Sequence, residues 1–375
     1  MKLALVLPGG VDRSGEVRVI PAFLALIERL ARAHEVHVFV LHQEARAGRW
    51  ELAGAHIHNI GDGWTRLRAI MAIRNEHGRA PFDLVQAIFS GSCSFIAVAA
   101  AKLLHLPSLV HIAGGELIAL DAIGYGGRRK WKGRLREALV LRGADAITAA
   151  SMPILDSLKG LGLDALRVPL GVDLRRWPAL APRRRKSACA QLIHVASINR
   201  VKDQATLLRA LALLAREGVE FQLNLVGVDT LHGELQALAS GLGLQRYIRF
   251  LGFKTQRELR AVMEAADVLV MSSLHEAGPL VLLEAAVAGV PTVGTAVGHI
   301  AEWSPTAALA VPVGDWEELA EAIRSVLDNE PLRLRMAMEA QRRALLEDAD
   351  CTARLFEGLY RQVSHRREAV AAMNP

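Results

Sequence analysis

The chain has 375 residues, 51% of them apolar, and a formal net charge of +6. This length predicts two domains, because domains commonly hold about 100–200 residues. The three cysteines, Cys93, Cys189 and Cys351, form no C-x-x-C pair, which argues against a disulfide scaffold or a zinc knuckle. No stretch reaches the roughly 20 apolar residues that span a bilayer, and the opening MKLALVLPGG is more typical of a buried strand than of a signal peptide. These features predict a cytoplasmic protein.

Short apolar strands alternate with helical periodicity along both halves of the chain. The first half predicts strands at 2–7, 35–40, 84–87, 108–112 and 146–148, with helices at 19–33 and 95–104. The second half predicts strands at 192–196, 222–226, 249–251, 268–271 and 292–294, with helices at 204–216, 232–241, 256–265, 279–288 and 316–329. Buried strands separated by helices imply parallel sheets with right-handed crossovers.

The two series of strands are separated by residues 172–190, which are rich in Pro and Arg and lack apolar periodicity. We therefore expect one domain at 1–178 and a second at 187–350. Residues 351–375 predict a final amphipathic helix that packs back toward the first domain. The fold class is α/β, with two doubly wound domains whose strand carboxyl ends face one cleft, where ligands bind.

The charge is unevenly distributed between the two halves. Residues 1–186 carry 27 Lys and Arg against 16 Asp and Glu, whereas residues 187–375 carry 18 against 23. The densest stretch is GRRKWKGRLR at 127–136. No helix-turn-helix, zinc-finger or RNP pattern accompanies it, so we expect no nucleic-acid partner. A basic cluster around a Trp suits an anionic membrane surface, and a solvated helix face is the alternative. The membrane contacts would be Arg128, Arg129, Lys130, Lys132 and Arg134.

Two stretches of the second domain predict a phosphate site. The stretch HVASINRVKDQATLL follows a strand and carries Arg200 and Lys202. Cations in such a loop suit phosphate. An ordinary solvated loop would show the same pattern. In HEAGPLVLLEAAVAGVPT, Gly278 and Pro279 are good helix openers. The first amides of that helix, at Leu280 and Val281, would then point into the cleft with the positive end of the helix dipole.

Glu284 is the single charged residue in an otherwise apolar run, where an unpaired carboxylate costs several kcal/mol. An exposed helix position is one explanation. The other is that Glu284 accepts hydrogen bonds from the two hydroxyls of a nucleotide's ribose. In the first domain, Gly9 and Gly10 follow the first strand and allow close approach of the backbone to a ligand, or a plain turn. They do not form G-x-G-x-x-G.

The motifs together resemble the retaining glycosyltransferases of family 4, the group 1 glycosyltransferases with the GT-B fold. Glu276 and Glu284, eight residues apart and followed by EAAVAGVPTVGTAVG, carry the resemblance most firmly. The stretches ADAITAAS, VPLGVD, IRFLGF and AADVLVMSS follow in family order. The resemblance implies transfer of a sugar from a nucleotide sugar, such as a UDP-, GDP- or ADP-sugar, to a hydroxyl of a glycan, lipid or small molecule. It implies no metal requirement and assigns no metal-ligating residue.

The resemblance also implies roles for individual residues. Glu284 would bind the donor ribose, Glu276 the donor sugar, and Lys202, with Arg200, the departing diphosphate. The donor site would further include Gly10, Ser197, Gly252, Phe253, Gly278, Pro279, Leu280 and Val281, and the acceptor side Gly9, Gly114, Gly115 and Glu116. The first domain would thus bind the acceptor. A peripheral position of the enzyme on the inner face of the membrane would suit a lipid-linked acceptor.

Three positions depart from the family pattern. Ser197 stands where an Arg is common, Ala113 where a His often precedes Gly, and Gln86 at a usual strand His. His111 is a second-choice catalytic group, and a strand position is the preferred interpretation. Two alternatives to the transferase therefore stay open: a 2-epimerase-like isomerase of sugar nucleotides, and a non-catalytic relative that binds nucleotide sugar or a partner protein.

Overall fold

The computed structural model describes the backbone of residues 1–373 and the side chains of residues 1–365. The chain divides into two compact units. The first comprises Met1–Gly171 with Ala349–Pro375, and the second comprises Val172–Asp348. Within the described residues, no helix combines the length and the apolar composition that crossing a bilayer would require.

The first unit is built on an eight-stranded sheet. Its strands are β1 (Lys2–Leu7), β2 (Glu35–Val40), β3 (Gly48–Leu52), β4 (Ala55–Asn59), β5 (Leu84–Ile88), β6 (Ser108–Ile112), β7 (Ala146–Ala149) and β8 (Leu166–Arg167). They lie in the order β3-β4-β2-β1-β5-β6-β7-β8, and all neighbours are parallel except the β3–β4 hairpin. The helices are α1 (Pro21–Leu30), α2 (Thr65–Arg79), α3 (Ser92–Leu103), α4 (Trp131–Gly143) and α5 (Met152–Gly160).

The second unit is built on a six-stranded parallel sheet. Its strands are β9 (Ala190–Val195), β10 (Phe221–Val226), β11 (Ile248–Gly252), β12 (Val268–Met271), β13 (Thr292–Thr295) and β14 (Ala308–Val311), in the order β11-β10-β9-β12-β13-β14. The helices are α6 (Gln204–Arg216), α7 (Glu234–Gly241), α8 (Gln256–Glu264), α9 (Leu280–Val287), α10 (Gly298–Trp303), α11 (Trp316–Asp328) and α12 (Glu330–Leu346). Apolar residues of α6, α11 and strands β9 and β10 form its largest core, and such burial is the main favourable term in folding.

The last helix, α13 (Ala349–Met373), returns to the first unit and packs on α1. The buried guanidinium of Arg29 on α1 donates to Asp350 at an Nε–Oδ1 distance of 2.6 Å. Further along α13, the hydroxyl of the buried Tyr360 hydrogen-bonds Oε1 of Gln86 on β5. The ring of Phe356 meets His111 edge-on at 5.3 Å between centroids. The helix therefore closes a core of the first unit.

The division between the units differs from the expected linker. The second unit begins at Val172, so it includes the stretch 172–190 that we expected to separate the domains. The indole of Trp177 is buried in that unit's core, and the amide of Leu180 donates to the carbonyl of Val287 at 2.9 Å. The Pro- and Arg-rich segment has no helical or strand periodicity, so its packing on the second unit could not be predicted from the sequence.

His111 lies on β6 and is fully buried, as the strand interpretation predicts. Its Nδ1 is 2.9 Å from the hydroxyl of Thr148, and burial lowers the pKa of its imidazole to about 3. Because Phe356 covers the ring, His111 is a packed core residue, and the structure gives no support to a catalytic role for it.

Removing the hydroxyl at Tyr360 should destabilise the first unit, because the acceptor Oε1 of Gln86 would remain buried without a partner. We expect Tyr360→Phe to cost about 1–3 kcal/mol in the free energy of unfolding. Replacing both partners, in Tyr360→Phe with Gln86→Leu, should recover most of that loss. Urea denaturation measures both; a double variant no more stable than Tyr360→Phe would contradict the assignment.

Candidate active site

The candidate site lies at the carboxyl ends of β9 and β12, which are neighbours at the centre of the second unit's sheet. From β9 the chain moves outward to β10 and β11, whereas β13 and β14 continue on the other side of β12. The strand order thus reverses between β9 and β12. In open α/β sheets this switch point leaves a crevice between diverging loops, where ligands bind.

Lys202 and Glu276 form an ion pair across this point. Nζ of Lys202 lies 2.5 Å from Oε1 of Glu276, and the hydroxyl of Ser273 donates to the same oxygen at 2.6 Å. Lys202 comes from the loop after β9 and Glu276 from the loop after β12. The structure therefore brings together the two residues to which the sequence assigns the diphosphate and the sugar.

Backbone and side-chain hydrogen bonds hold these two loops together. The amide of Leu274 donates to the carbonyl of Val201 at 2.8 Å, and the hydroxyl of Ser272 donates to the carbonyl of Lys202 at 2.9 Å. Asp203 then caps α6, where its carboxylate accepts from the amide of Thr206. The cation is thus fixed by a strand on one side and a capped helix on the other.

Gly278 lies between Glu276 and α9 and packs against a histidine. A Cβ on Gly278 would stand 2.9 Å from Nε2 of His299, so any side chain here would displace that buried ring. Pro279 is the N-cap of α9, and the helix begins at Leu280, one residue later than expected. Its first amides follow directly after the Glu276 loop, as the sequence predicts.

Glu284 lies in the second turn of α9 and is only 5% exposed. Burial raises the pKa of its carboxyl to about 7, partly offset by a hydrogen bond from Gln256. Nε2 of Gln256 donates to Oε1 of Glu284 at 3.1 Å, and among residues 1–365 this is the only hydrogen bond to that carboxylate. The interpretation of Glu284 as an exposed helix residue is therefore wrong. Its carboxyl group is desolvated and can accept further hydrogen bonds.

Gln256 and Trp177 are partners that the sequence analysis missed. The indole of Trp177 donates to Oε1 of Gln256, which fixes the amide so that its NH₂ faces Glu284. A signal for Gln256 was present in TQRE at 255–258, because Thr255 and Glu258 form a capping box that places Gln256 in the first turn of α8. Trp177 stands in the stretch taken as linker and gave no signal.

Except for Gly10, the remaining donor-site predictions lie on or beside loops of the same unit. Ser197 is exposed two residues after β9, while Gly252 ends β11 and is followed by the half-exposed ring of Phe253. Arg200 is directed elsewhere: its guanidinium lies 3.2 Å from Oε2 of Glu234, and both side chains are exposed. The structure thus pairs Arg200 with α7, while Lys202 makes the contact to Glu276.

Gly10, which was predicted for the donor site, and the residues predicted for the acceptor side belong to the first unit. The amide of Gly10 donates to Oε1 of Gln43 at 2.8 Å, and its φ of +86° favours glycine. Gly9 precedes it at the end of the turn after β1. After β6, the carboxylate of Glu116 accepts from the amides of Gly114 and Ser90 at 2.7 and 2.9 Å. Burial raises the pKa of the Glu116 carboxyl, and the hydrogen bonds from these amides partly offset the increase.

Gly115 follows Gly114 in the same turn, and a Cβ there would stand 2.5 Å from the Tyr125 ring. The turns that carry these glycines are therefore closely packed against side chains of their own unit. Whether they contact an acceptor stays a prediction.

Two family matches together span most of the chain. Residues 19–171 match the Glycosyl transferase 4-like domain, and residues 182–343 match the Glycosyl transferases group 1. The chain belongs to the group 1 glycosyltransferases of family 4. The fold class predicted from the sequence is confirmed: both units are α/β with parallel, Rossmann-like sheets, as in GT-B enzymes.

Individual relatives are more distant. The chain is 32% identical to glycogen synthase of Mycobacterium tuberculosis over 220 residues, which cover 57% of this chain and 53% of the relative. The match thus spans about half the length of that curated relative. Sucrose-phosphate synthase of Thermosynechococcus elongatus superposes with a TM-score of 0.80 at 19% identity, covering 97% of this chain and 99% of that one. HepE of Anabaena in complex with UDP gives 0.75 at 17%, covering 96% and 100%.

The raised pKa of Glu284 should make its removal stabilising in a pH-dependent way. The folded state holds the proton up to about pH 7, whereas the unfolded chain releases it near 4.5, so stability is lost as pH rises between these values. The loss amounts to about 3 kcal/mol above pH 7. We expect Glu284→Gln to match the native protein near pH 4 and to exceed its free energy of unfolding at pH 8.

Urea denaturation at both pH values measures this difference. Glu321→Gln, on the exposed side of α11, is the control and should show no comparable gain at pH 8. Equal stability of native protein and Glu284→Gln at pH 8 would mean that the carboxylate is not desolvated.

Proposed function

We propose that this protein is a retaining glycosyltransferase that moves a sugar from a nucleoside-diphosphate sugar to a hydroxyl acceptor. The observation that carries the proposal is the sequence of groups along one loop and helix of the second unit. Glu276 is ion-paired with Lys202 at the mouth, the first amides of α9 follow, and the desolvated Glu284 lies one turn deeper. This order matches the order of sugar, diphosphate and ribose in the donor.

Each group has a part that suits its chemistry. Departure of the nucleoside diphosphate builds negative charge on the leaving oxygen, which the ammonium of Lys202 and the amide ends of α9 would stabilise. The ribose hydroxyls would donate to Glu284, and hydrogen bonds to a charged acceptor contribute about 1.5–3 kcal/mol each. Glu276 would hold the sugar and stabilise positive charge at the anomeric carbon.

The ligand also resolves the electrostatics of Glu284. The carboxylate is desolvated and accepts one hydrogen bond, from Gln256. Two hydroxyl donors would stabilise its ionised form and lower its pKa again. The solved structures of HepE with UDP and with UDP-glucose support a nucleotide-sugar donor, and the match to a glycogen synthase supports glycosyl transfer. We propose that no bound metal is needed for this step.

Incubation with UDP-, GDP- and ADP-sugars separates this function from its alternatives. Release of nucleoside diphosphate that depends on an acceptor supports transfer. An altered sugar still joined to its nucleotide would indicate an epimerase, and binding without either product would indicate a non-catalytic protein. Proton NMR of the first product formed reports the anomeric configuration, and an inverted product would overturn the proposal of a retaining enzyme.

Loss of Lys202 should strongly reduce turnover. We expect Lys202→Ala to lower kcat by about 10²–10³, the size of effect seen when one preorganised charge stabiliser is removed. Glu276→Ala should also lower kcat but leave the affinity for the bare nucleoside diphosphate near normal, because that ligand lacks the sugar. Glu284→Gln should instead weaken nucleoside-diphosphate binding by about tenfold or more. Steady-state kinetics and calorimetry with the same nucleotide measure these three patterns.

Arg200→Ala is the matched control, because Arg200 is a loop cation two residues from Lys202 whose structural partner is Glu234. Its loss should be smaller than that of Lys202→Ala. Equal losses would return Arg200 to the catalytic role that the sequence assigned to it, and native activity in Lys202→Ala and Glu276→Ala would exclude this site.

We further propose that the first unit binds an anionic membrane surface through α4. Three apolar side chains one turn apart on this helix, Trp131, Leu135 and Leu139, are between 52% and 65% exposed. The exposed cations Lys130, Lys132 and Arg134 are interleaved with them.

An apolar stripe flanked by cations suits the interface of an anionic bilayer, where the ring and leucines enter the headgroup region and the cations meet lipid phosphates. Arg128 and Arg129 contribute less, because they pair with Glu137 and Asp121 within the unit. A lipid-linked acceptor and a peripheral location would fit such docking.

Charge reversal on α4 tests the docking surface. Each cation near an anionic surface is worth about 1 kcal/mol, so Lys130→Glu with Lys132→Glu should lower affinity for anionic vesicles roughly tenfold or more. Turnover on a soluble acceptor should not change. The control, Arg209→Glu with Arg335→Glu on exposed positions of the second unit, makes the same change in net charge and should retain binding. If the native protein does not bind anionic vesicles at low salt, the proposal is wrong.

A further inference from the structure

A cluster of two histidines and two glutamates lies at the β2–β4 side of the first unit and contains none of the residues that the glycosyltransferase family implies. His37 on β2 and His58 on β4 are both buried, and Nδ1 of His37 is 2.9 Å from Nε2 of His58. In the parallel register His37 opposes His56, so His58 is its diagonal neighbour on the same face of the sheet. A carboxylate oxygen of Glu76 on α2 lies within 4.8 Å of one ring nitrogen of each of these two histidines.

The hydrogen bonds define which nitrogens carry protons. Nε2 of His37 is 2.9 Å from Oε1 of Glu35, and because a carboxylate only accepts, this nitrogen is the protonated one. Nδ1 of His37 is therefore a bare lone pair directed at His58. A carboxylate that accepts from the remote nitrogen of a histidine is the usual outer-shell arrangement around a metal-bound imidazole.

Packing holds both rings in these orientations. His58 stacks on Phe39 at 4.7 Å between centroids, and Phe82 meets His37 edge-on at 5.3 Å. Burial lowers the pKa of His58 to about 4 and also lowers that of His37. Both imidazoles are consequently neutral at pH 7, the form in which imidazole binds metal ions.

We propose that Nδ1 of His37, Nε2 of His58 and the Glu76 carboxylate bind one divalent transition-metal ion, with zinc as the ion best suited to this donor set. Two imidazole nitrogens and a carboxylate oxygen, with a fourth position for water, form a recognised tetrahedral zinc arrangement. Zinc–ligand distances of about 2.0 Å place tetrahedral donors about 3.3 Å apart. The two nitrogens are already within a few tenths of an ångström of that spacing, and the Glu76 side chain closes the remaining gap.

Metal binding needs only small changes in hydrogen bonding. His58 exchanges its Nε2 proton for one on Nδ1, and the hydrogen bond between the rings is replaced by two metal bonds. Arg79 donates to Oε2 of Glu76 at 3.0 Å, so Oε1 is the oxygen that turns to the metal. A cavity of about 470 Å³ borders His58 and supplies the entry path. The ion would connect β2, β4 and α2 within the first unit, separate from donor chemistry in the second unit.

The surrounding charges set the expected strength. Lys2 lies 3.1 Å from Glu35, and Arg49 lies 3.9 Å from Glu76, in addition to Arg79. These cations oppose a divalent ion, so we expect weaker binding than at a closed site with four charged or imidazole ligands. Repulsion between these cations and the metal ion also predicts tighter metal binding when Arg49 is neutralised. Arg49 has the longest ion-pair distance of the three cations.

Titration of chelator-treated, full-length protein with Zn²⁺ and with Co²⁺ tests the site. We expect one equivalent to bind by calorimetry, a higher Tm with Zn²⁺, and visible d–d absorption of four-coordinate Co²⁺. Glu35→Gln should lower metal affinity by about 10–100-fold, as for other outer-shell partners. His58→Gln and Glu76→Gln should lower it more. Arg49→Gln should raise it.

His56→Ala is the matched control, since His56 is an exposed histidine on the same strand that belongs to an alternative ligand set with Glu35 and His37. It should retain metal binding. Loss of binding in His56→Ala but not in His58→Gln would assign the metal to that surface set and overturn the proposal. Absence of bound metal, of a Tm shift and of a Co²⁺ spectrum in the native protein would show that the two rings form a plain hydrogen bond. Circular dichroism confirms that each variant is folded.

Discussion

The desolvation of Glu284 is the constraint on which the second unit's active region depends. A carboxylate on an otherwise apolar helix costs several kcal/mol unless it is paired or stays protonated, and a pKa near 7 shows the latter effect. Gln256, held by Trp177, offsets part of the cost. The remaining accepting capacity is preserved instead of being filled by a cation, and this is the state in which a ligand with hydroxyl donors gains most.

Lys202 and Glu276 show the complementary solution. Each is partly buried, and each is satisfied by the other, so neither pays the cost that Glu284 does. Their loops are joined by one backbone hydrogen bond and one from the Ser272 hydroxyl. The hydroxyl of Thr295 on β13 also donates to the carbonyl of Ser273 at 2.6 Å. Charges held in place before the ligand arrives need little reorganisation during reaction, which is the main source of electrostatic catalysis. The sheet thus supplies rigidity and the loops supply charge.

Much of the fold could be predicted because parallel strands buried on both faces read as continuous apolar runs. The bounds predicted for β1, β2, β6 and β12 agree with the structure, as do those of α6. The β3–β4 hairpin was missed, since β3 alternates half-buried with exposed residues at the sheet edge. Helices α2 and α12 were missed because Arg-rich sequences lower their mean hydropathy and obscure the apolar face. Buried parallel strands can be predicted from their apolar runs, whereas the formation of edge strands and surface helices depends on tertiary packing.

The residues of the candidate site likewise differ in how far the sequence alone could predict them. Glu284 could be found because a charged residue inside an apolar run is unusual, whereas the roles of Lys202 and Glu276 came from the resemblance to the family. Arg200 could not be separated from Lys202, because which loop cation turns inward depends on Glu234, a residue on α7 that only the fold brings near. Ser273 is uncharged and acts on another side chain, so it leaves almost no trace in sequence. The capping box predicts the place of Gln256 in the first turn of α8 but not its contact with Glu284.

Burial of a polar group does not by itself mark function, and the first unit shows why. Gln86 and His111 are completely buried, and within the side chains that the structure describes, an Nε2 atom of each has no hydrogen-bond partner. These atoms lie beneath α13, where Phe356 and Tyr360 close the core and leave no path for a ligand. Glu284 differs because its helix begins directly after the Glu276 loop at the open ends of the strands. Burial of a polar group costs free energy both at Gln86 and His111 and at Glu284. We infer a ligand site only at Glu284, because only there does the group lie near the open ends of the strands.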